Sequence, residues 1–133
     1  MAIDYGTYGF GRKVDLPYDE AIERIKAALK TVGFGVLTEI NAKQTLKDKL
    51  GVDFRRYVIL GACNPPLAHK ALSADLDVGL LLPCNVVVYE EGAGSVIRVM
   101  DPVAVLGMAK IEALEPLAAD VRGRLERALE SLG

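Results

Sequence analysis

Two short phrases hold most of the soft or titratable chemistry of this chain: Cys63-Asn64-Pro65-Pro66 and Pro83-Cys84-Asn85. Each sets one of the two cysteines beside an asparagine and a proline, and the single histidine, His69, follows the first phrase closely. Cys63 is expected just ahead of a helix starting at Pro65, where the helix dipole and free backbone N–H groups favour a thiolate. That is the setting of a nucleophilic or redox cysteine. The plainer alternative is a small apolar residue at a buried strand end. Cys84 in an extended strand shares a face with Leu82, Val86 and Val88, a core position, unless Pro83 bends the strand and turns the thiol toward Cys63. His69 lies about 9 Å from Cys63 at the helical rise, so a Cys63–His69 dyad requires the loop to fold back. Without that fold His69 is a half-exposed side chain with no role.

Other residues extend the candidate set. Cys63, Cys84 and His69 with a carboxylate as fourth ligand would suit zinc or copper(I), although no CxxC pair gives a thioredoxin or zinc-ribbon spacing. Glu39 falls near a predicted strand end and Asp101 precedes Pro102, where a carboxylate caps a turn. Asn64 and Asn85 are each expected to fix a loop through side-chain bonds to backbone. A metal-free possibility stands beside these: a cleft lined by Leu, Val, Tyr and a few polar groups that holds a small ligand without chemistry.

The composition bounds the elements that must position these residues. At 133 residues, 51% hydrophobic and 26% charged, the chain reads as one globular domain, 1–133, large enough to bury a core without staples. A formal charge of −2 gives no basic footprint for nucleic acid. The apolar runs Val78 to Pro83 and Val86 to Tyr89 are too short to span a bilayer, and Met1 to Asp4 lacks the basic start and apolar stretch of a signal peptide. The expected compartment is the cytoplasm, with both cysteines reduced.

Periodicity supplies the elements. Tyr8, Phe10, Val14 and Leu16 predict one face of a first strand that Pro17 stops. From Asp19, Ile22, Ile25, Leu29 and Val32 step as an amphipathic helix, with Gly33 at its end. Phe34 to Ile40 predicts a second strand, after which Asn41 caps a short polar helix through Leu46 and Leu50 to Gly51. Arg56 to Ala62 predicts a third strand, apolar on both faces from Tyr57 to Leu60 as a central strand would be. Asn64 is an N-cap and Pro65 a first helical residue, for a helix reaching about Ala74. Val78 to Tyr89 predicts one bent strand, or two broken at Pro83; Glu90 to Ser95 a hairpin turn; Val96 to Met100 the last strand. Asp101-Pro102 opens a short turn or helix closed by Gly107. Pro116 opens a final helix with the stripe Leu117, Val121, Leu125, Leu129 and Leu132. Gly9-Phe10-Gly11 is not a dinucleotide fingerprint, since no third glycine follows. The order predicts an α+β fold: an antiparallel sheet with helices packed on one face, in strand-helix-strands-helix order.

The segments Gly33 to Ile40, Leu60 to Pro65, Leu81 to Glu90 and Asp101-Pro102 resemble the signature of the "domain of unknown function 302" family across nearly the whole chain. The resemblance implies a TATA-binding-protein-like fold and a homodimer. It implies no DNA binding and no settled activity. Three readings follow. The leading one is a non-catalytic small-molecule or metal-ion binding module around Cys63, with ligand-binding candidates Cys63, Asn64, Cys84, Asn85 and Glu39. The second is a thiol-dependent enzyme or redox protein with Cys63 as nucleophile and His69 as base. The third is a structural homodimer whose cysteines are core filler. The identity of any cofactor is left open; the expected partners are a second copy and a small molecule or metal ion, with no nucleic acid and no membrane.

Overall fold

The computed structural model describes residues 2–132. Six strands form one antiparallel sheet: β1 (Asp4–Tyr5), β2 (Gly9–Val14), β3 (Gly35–Asn41), β4 (Tyr57–Cys63), β5 (Cys84–Glu91) and β6 (Gly94–Met100). Their spatial order is β1-β2-β6-β5-β4-β3. Five α-helices complete the fold: α1 (Tyr18–Thr31), α2 (Ala42–Leu50), α3 (Pro65–Ala74), α4 (Pro102–Gly107) and α5 (Glu115–Glu130). Among the described residues no helix is long and apolar enough to cross a membrane.

The core forms where period-two strands meet period-3.6 helices. Ile25 and Leu29 of α1 and Leu125 and Leu129 of α5 bury their stripes against Phe10, Leu60, Val86, Val88 and Ile97 of the sheet, all fully buried. A smaller cluster, Ala71, Val78, Leu106, Leu114 and Ala118, ties α3 and α4 to the start of α5. Asn41, Asn64 and Asp101 each accept a backbone N–H from the first turn of the helix they open, which satisfies one orphan donor apiece. Gly33, at φ +89°, turns the chain out of α1.

Two expectations are corrected by this architecture. Val78–Leu82 is not strand: Leu76–Leu81 winds as a 3-10 helix, and the strand begins at Cys84. Asp75 caps this turn at Asp77 N, and its side chains divide with Val78 buried but Leu80 exposed. A short apolar run does not by itself distinguish the two conformations. Tyr8 does not join the Phe10 and Val14 face; it is 79% exposed, in the turn between β1 and β2. The β1 strand itself, only two residues long, has no periodic signal.

β4 is apolar on both sides, as its sequence predicts, but only one side meets the helices. Val58, Leu60 and Ala62 enter the core, so Tyr57 and Ile59 point away from it. Ile59 is paired with Ile40 on one side and Val87 on the other, while the rings of Tyr57 and Tyr89 stack at 5.5 Å with an interplanar angle of 3°. On this second sheet face Ile40, Ile59 and Val87 form an apolar row that ends at Arg98, the cross-strand partner of Val87.

Candidate functional site

A cleft of about 370 Å³ opens where β4 and β5 end beside α3. Ala62 and Cys63 close β4 there, and Leu82, Pro83 and Cys84 lead into β5; the Leu82–Pro83 bond is cis. Leu67, Ala68, Ala71 and Leu72 of α3 form one wall. Phe34, Leu37 and Thr38 form another, with a bulge in β3 between Val36 and Thr38. Leu106, Leu117 and Val121 supply the floor from α4 and α5. The lining is overwhelmingly apolar; the polar groups on it belong to Thr38, Asn64 and the two thiols.

The register explains why both cysteines reach this space. Ala62 pairs with Cys84, which puts Cys63 one position along from Cys84 on the neighbouring strand. Cys84 is 7% exposed, and its thiol is pushed up to about 11, first by burial and then by the charge of Cys63. It is protonated at neutral pH, as a poor nucleophile and a poor ligand. Cys63 is half-buried at the cleft wall.

The free backbone donors expected to favour a thiolate at Cys63 are absent at the start of α3. Pro65 and Pro66 carry no N–H, the Asn64 side chain accepts the N–H of Leu67 at 3.2 Å, and Ala68 N donates to Asn64 O. The cap that the sequence predicts consumes what the thiolate would need.

The remaining candidates lie elsewhere. His69 is exposed on α3, two residues from Leu67, whose partner in the buried stripe is Ala71; a step of two turns a helical side chain to the far side. The Cys63–His69 dyad is thus not assembled. Among the described residues no group of three His, Cys, Asp or Glu side chains stands together to hold a metal, so the Cys63, Cys84, His69 set is not assembled either. Glu39 is exposed and pairs with Lys26 of α1 at 3.0 Å. Asn85 is exposed and borders a hollow on the opposite sheet face with Tyr57, Tyr89 and Arg98. Of the five ligand-binding candidates, the cleft gathers Cys63, Asn64 and Cys84. Sequence reading missed Phe34, Thr38, Leu67, Leu117 and Val121; only the Leu67, Ala68, Ala71, Leu72 spacing pointed to a shared face.

An antiparallel sheet with helices on one side and an apolar cleft at its end defines an α+β domain. The "Domain of unknown function DUF302" family model matches residues 10–132. The chain belongs to this family. It is similar to a solved structure described as "uncharacterized conserved protein DUF302 from Bacillus stearothermophilus", at 37% identity and a TM-score of 0.86, over 94% of this chain and 98% of that one. No match is found among curated proteins.

Proposed function

We propose that this chain is a binding module for a small apolar molecule, seated in the cleft beside Cys63, with no catalysis at that site. The carrying observation is the cleft itself: about 370 Å³, within the range of small-molecule pockets, walled by side chains from β3, α3, α4 and α5 and nearly free of polar groups. Burying an apolar ligand there gains the same free energy that built the core. The thiol-enzyme alternative has no base in the cleft, since His69 stands outside it, and no free donors at the start of α3.

A fluorescence titration with N-phenyl-1-naphthylamine, a neutral apolar probe, tests this reading. Wild-type protein is expected to give a saturable, one-site enhancement at neutral pH. Ala68→Trp, which fills the cleft from its half-exposed wall, is expected to lower that affinity at least 10-fold with unchanged circular dichroism. A weak, non-saturating signal equal in both proteins would exclude the cleft as a binding site.

A second reading, the homodimer, is favoured by a different observation. None of the nine residues of α2 is buried, yet a helix that short depends on tertiary packing for its stability. Ile40, Leu50, Val52 and Phe54 in and around it are all exposed, and Ile59 and Val87, on the sheet face turned away from α1 and α5, are only half-buried. A helix lacking a sheet and a sheet face lacking a helix layer are complementary halves, which a two-fold pairing of identical chains joins twice. Charge agrees with this pairing. Residues 42–56 carry Lys43, Lys47, Lys49, Arg55 and Arg56 against Asp48 and Asp53, so this arm is basic within a chain of net charge −2, and the rest of the chain is acidic.

A further inference from the structure

A hollow of about 500 Å³ lies on the sheet face turned away from α1 and α5, and its chemistry is unlike that of the cleft. Ile40 and Ile59, which the second-copy reading uses, are not on its wall. Among the described residues one charged side chain is: Arg98 of β6, the cross-strand partner of Val87. On its other side Arg98 faces Gly11 of β2, where a Cβ would stand 2.8 Å from Arg98 Cδ, so the absence of a side chain lets the arginine lie along β2. Arg98 Nη2 donates to Gly9 O at 3.2 Å, and Nη1 donates to Asp4 O at 3.2 Å and to Asp4 Oδ2 at 3.0 Å. Nη2 also lies 3.1 Å from where a Cβ on Gly6 would stand, and Gly6 and Gly9 both line the hollow. The guanidinium head is therefore fixed at this wall.

That head is not neutralised from within the hollow. Its one carboxylate partner, Asp4, has a side chain 82% exposed and is not on the wall; an ion pair so exposed is weak and screened by solvent. The bonds to Asp4 and Gly9 leave part of the guanidinium fork without a partner. No Asp or Glu lines the hollow, and its other polar side chains, among them Asn85 and the phenols of Tyr8, Tyr57 and Tyr89, can all donate. Burial first, then Tyr89 and Tyr8, raise the Tyr57 phenol, so it keeps its proton at neutral pH. A cation entering here meets a fixed positive charge, whereas a carboxylate meets that charge and several donors. We infer that this hollow binds a small organic carboxylate, with Arg98 as its counter-charge and Asn85 beside it. Val87 and Met100 supply apolar surface for the body of the molecule. This inference stands apart from the cleft reading.

The test compares benzoate with benzamide, which share a shape and differ in charge. Binding is followed by ligand-observed NMR at low ionic strength, with wild-type protein and with Asn85→Asp, which sets a carboxylate at an exposed position on the same wall. Wild type is expected to bind benzoate about 5-fold more tightly than benzamide, the margin of a charge-assisted hydrogen bond over a neutral one. Asn85→Asp is expected to weaken benzoate about 5- to 10-fold by like-charge repulsion, and benzamide less than about 2-fold. N-phenyl-1-naphthylamine, the probe of the cleft, is expected to bind both proteins equally. Equal or tighter binding of benzamide by wild type, or no binding of benzoate, overturns the inference and leaves the cleft reading standing. Full benzoate affinity in Asn85→Asp puts the anion elsewhere and overturns it too. Arg98→Gln is expected to bring benzoate down to the affinity of benzamide. Because Arg98 also ties β1 to the sheet, the wild-type probe pair and Asn85→Asp decide without it.

Discussion

The thiol of Cys84 shows how burial, and not residue type, decides chemistry at one position. Its ordinary value of 9.0 rises to about 11 in the folded chain. A thiol whose folded pKa lies above its unfolded one stabilises the fold fully below the unfolded value. That contribution is lost as pH rises from about 9 through about 11, because the unfolded chain ionises first. Two pH units of displacement correspond to about 2–3 kcal/mol. Denaturant unfolding at pH 8 and pH 11 is expected to show a loss of that order in wild type beyond any loss in Cys84→Ala, which removes the ionising group. Parallel pH profiles for the two proteins would mean that Cys84 is not buried as described. Cys63, one position away on the next strand, sits half-exposed at the cleft wall. Similar phrases in the sequence thus place their cysteines in different surroundings.

At the scale of elements, α3 is the piece on which the cleft depends. It is ten residues long and begins with two prolines, so Asn64 supplies its side-chain cap. Asn64→Ala is expected to cost about 1–2 kcal/mol in chemical unfolding, whereas Asn64→Ser, which keeps a neutral capping oxygen, is expected to stay within about 0.5 kcal/mol of wild type. Equal losses from both would show that the cap bond carries no stability. The elements that could be read from sequence were those with a long period and a marked end. The α1 stripe from Ile22 to Leu29, the α5 stripe from Val121 to Leu129 and the caps at Asn41 and Asn64 all fall where spacing predicts. The 3-10 helix at Leu76–Leu81 was not legible, because six largely apolar residues fit a strand as well as a turn of helix. The cleft was legible only through Cys63, Asn64 and Cys84. Its other walls come from β3, α4 and α5, segments far apart in sequence, and no local spacing encodes their meeting. Glu39 and Asn85 illustrate the converse: pleating turns Asn85 to the opposite sheet face, while Glu39, opposite Leu60 on the helix side, is exposed because β3 is the edge strand, and its carboxylate is held by Lys26 of α1.

For the whole molecule, the unburied α2 arm and the apolar sheet face make a prediction about assembly. Light scattering coupled to size exclusion is expected to give twice the chain mass for wild type, and the melting temperature is expected to rise with protein concentration. The double substitution Leu50→Asp and Phe54→Asp introduces charge on two side chains that are already exposed in a single chain, 69% and 44%, so the monomer's own core is untouched. It is expected to yield a monomer with lower thermal stability. A wild-type monomer at tens of micromolar would end the dimer reading; a dimer that survives the double substitution would move the interface away from the arm.

The strand order carries a consequence for how the chain comes into being. β2 pairs with β6, Gly9 opposite Met100 and Val14 opposite Ser95, so its main partner lies about eighty to ninety residues downstream. On a ribosome adding about 5–20 residues per second, that gap is an interval of about 4–18 seconds. Through it Phe10 and Val14 have left the exit tunnel while the strand that completes their layer does not yet exist. A product that stops short of Ser95 leaves β2 without β6 and lacks α5, the helix that helps cover it. The last third of the chain therefore decides whether the first third ever becomes native, and an interrupted translation product presents an apolar N-terminal segment to whatever chaperone or protease meets it first.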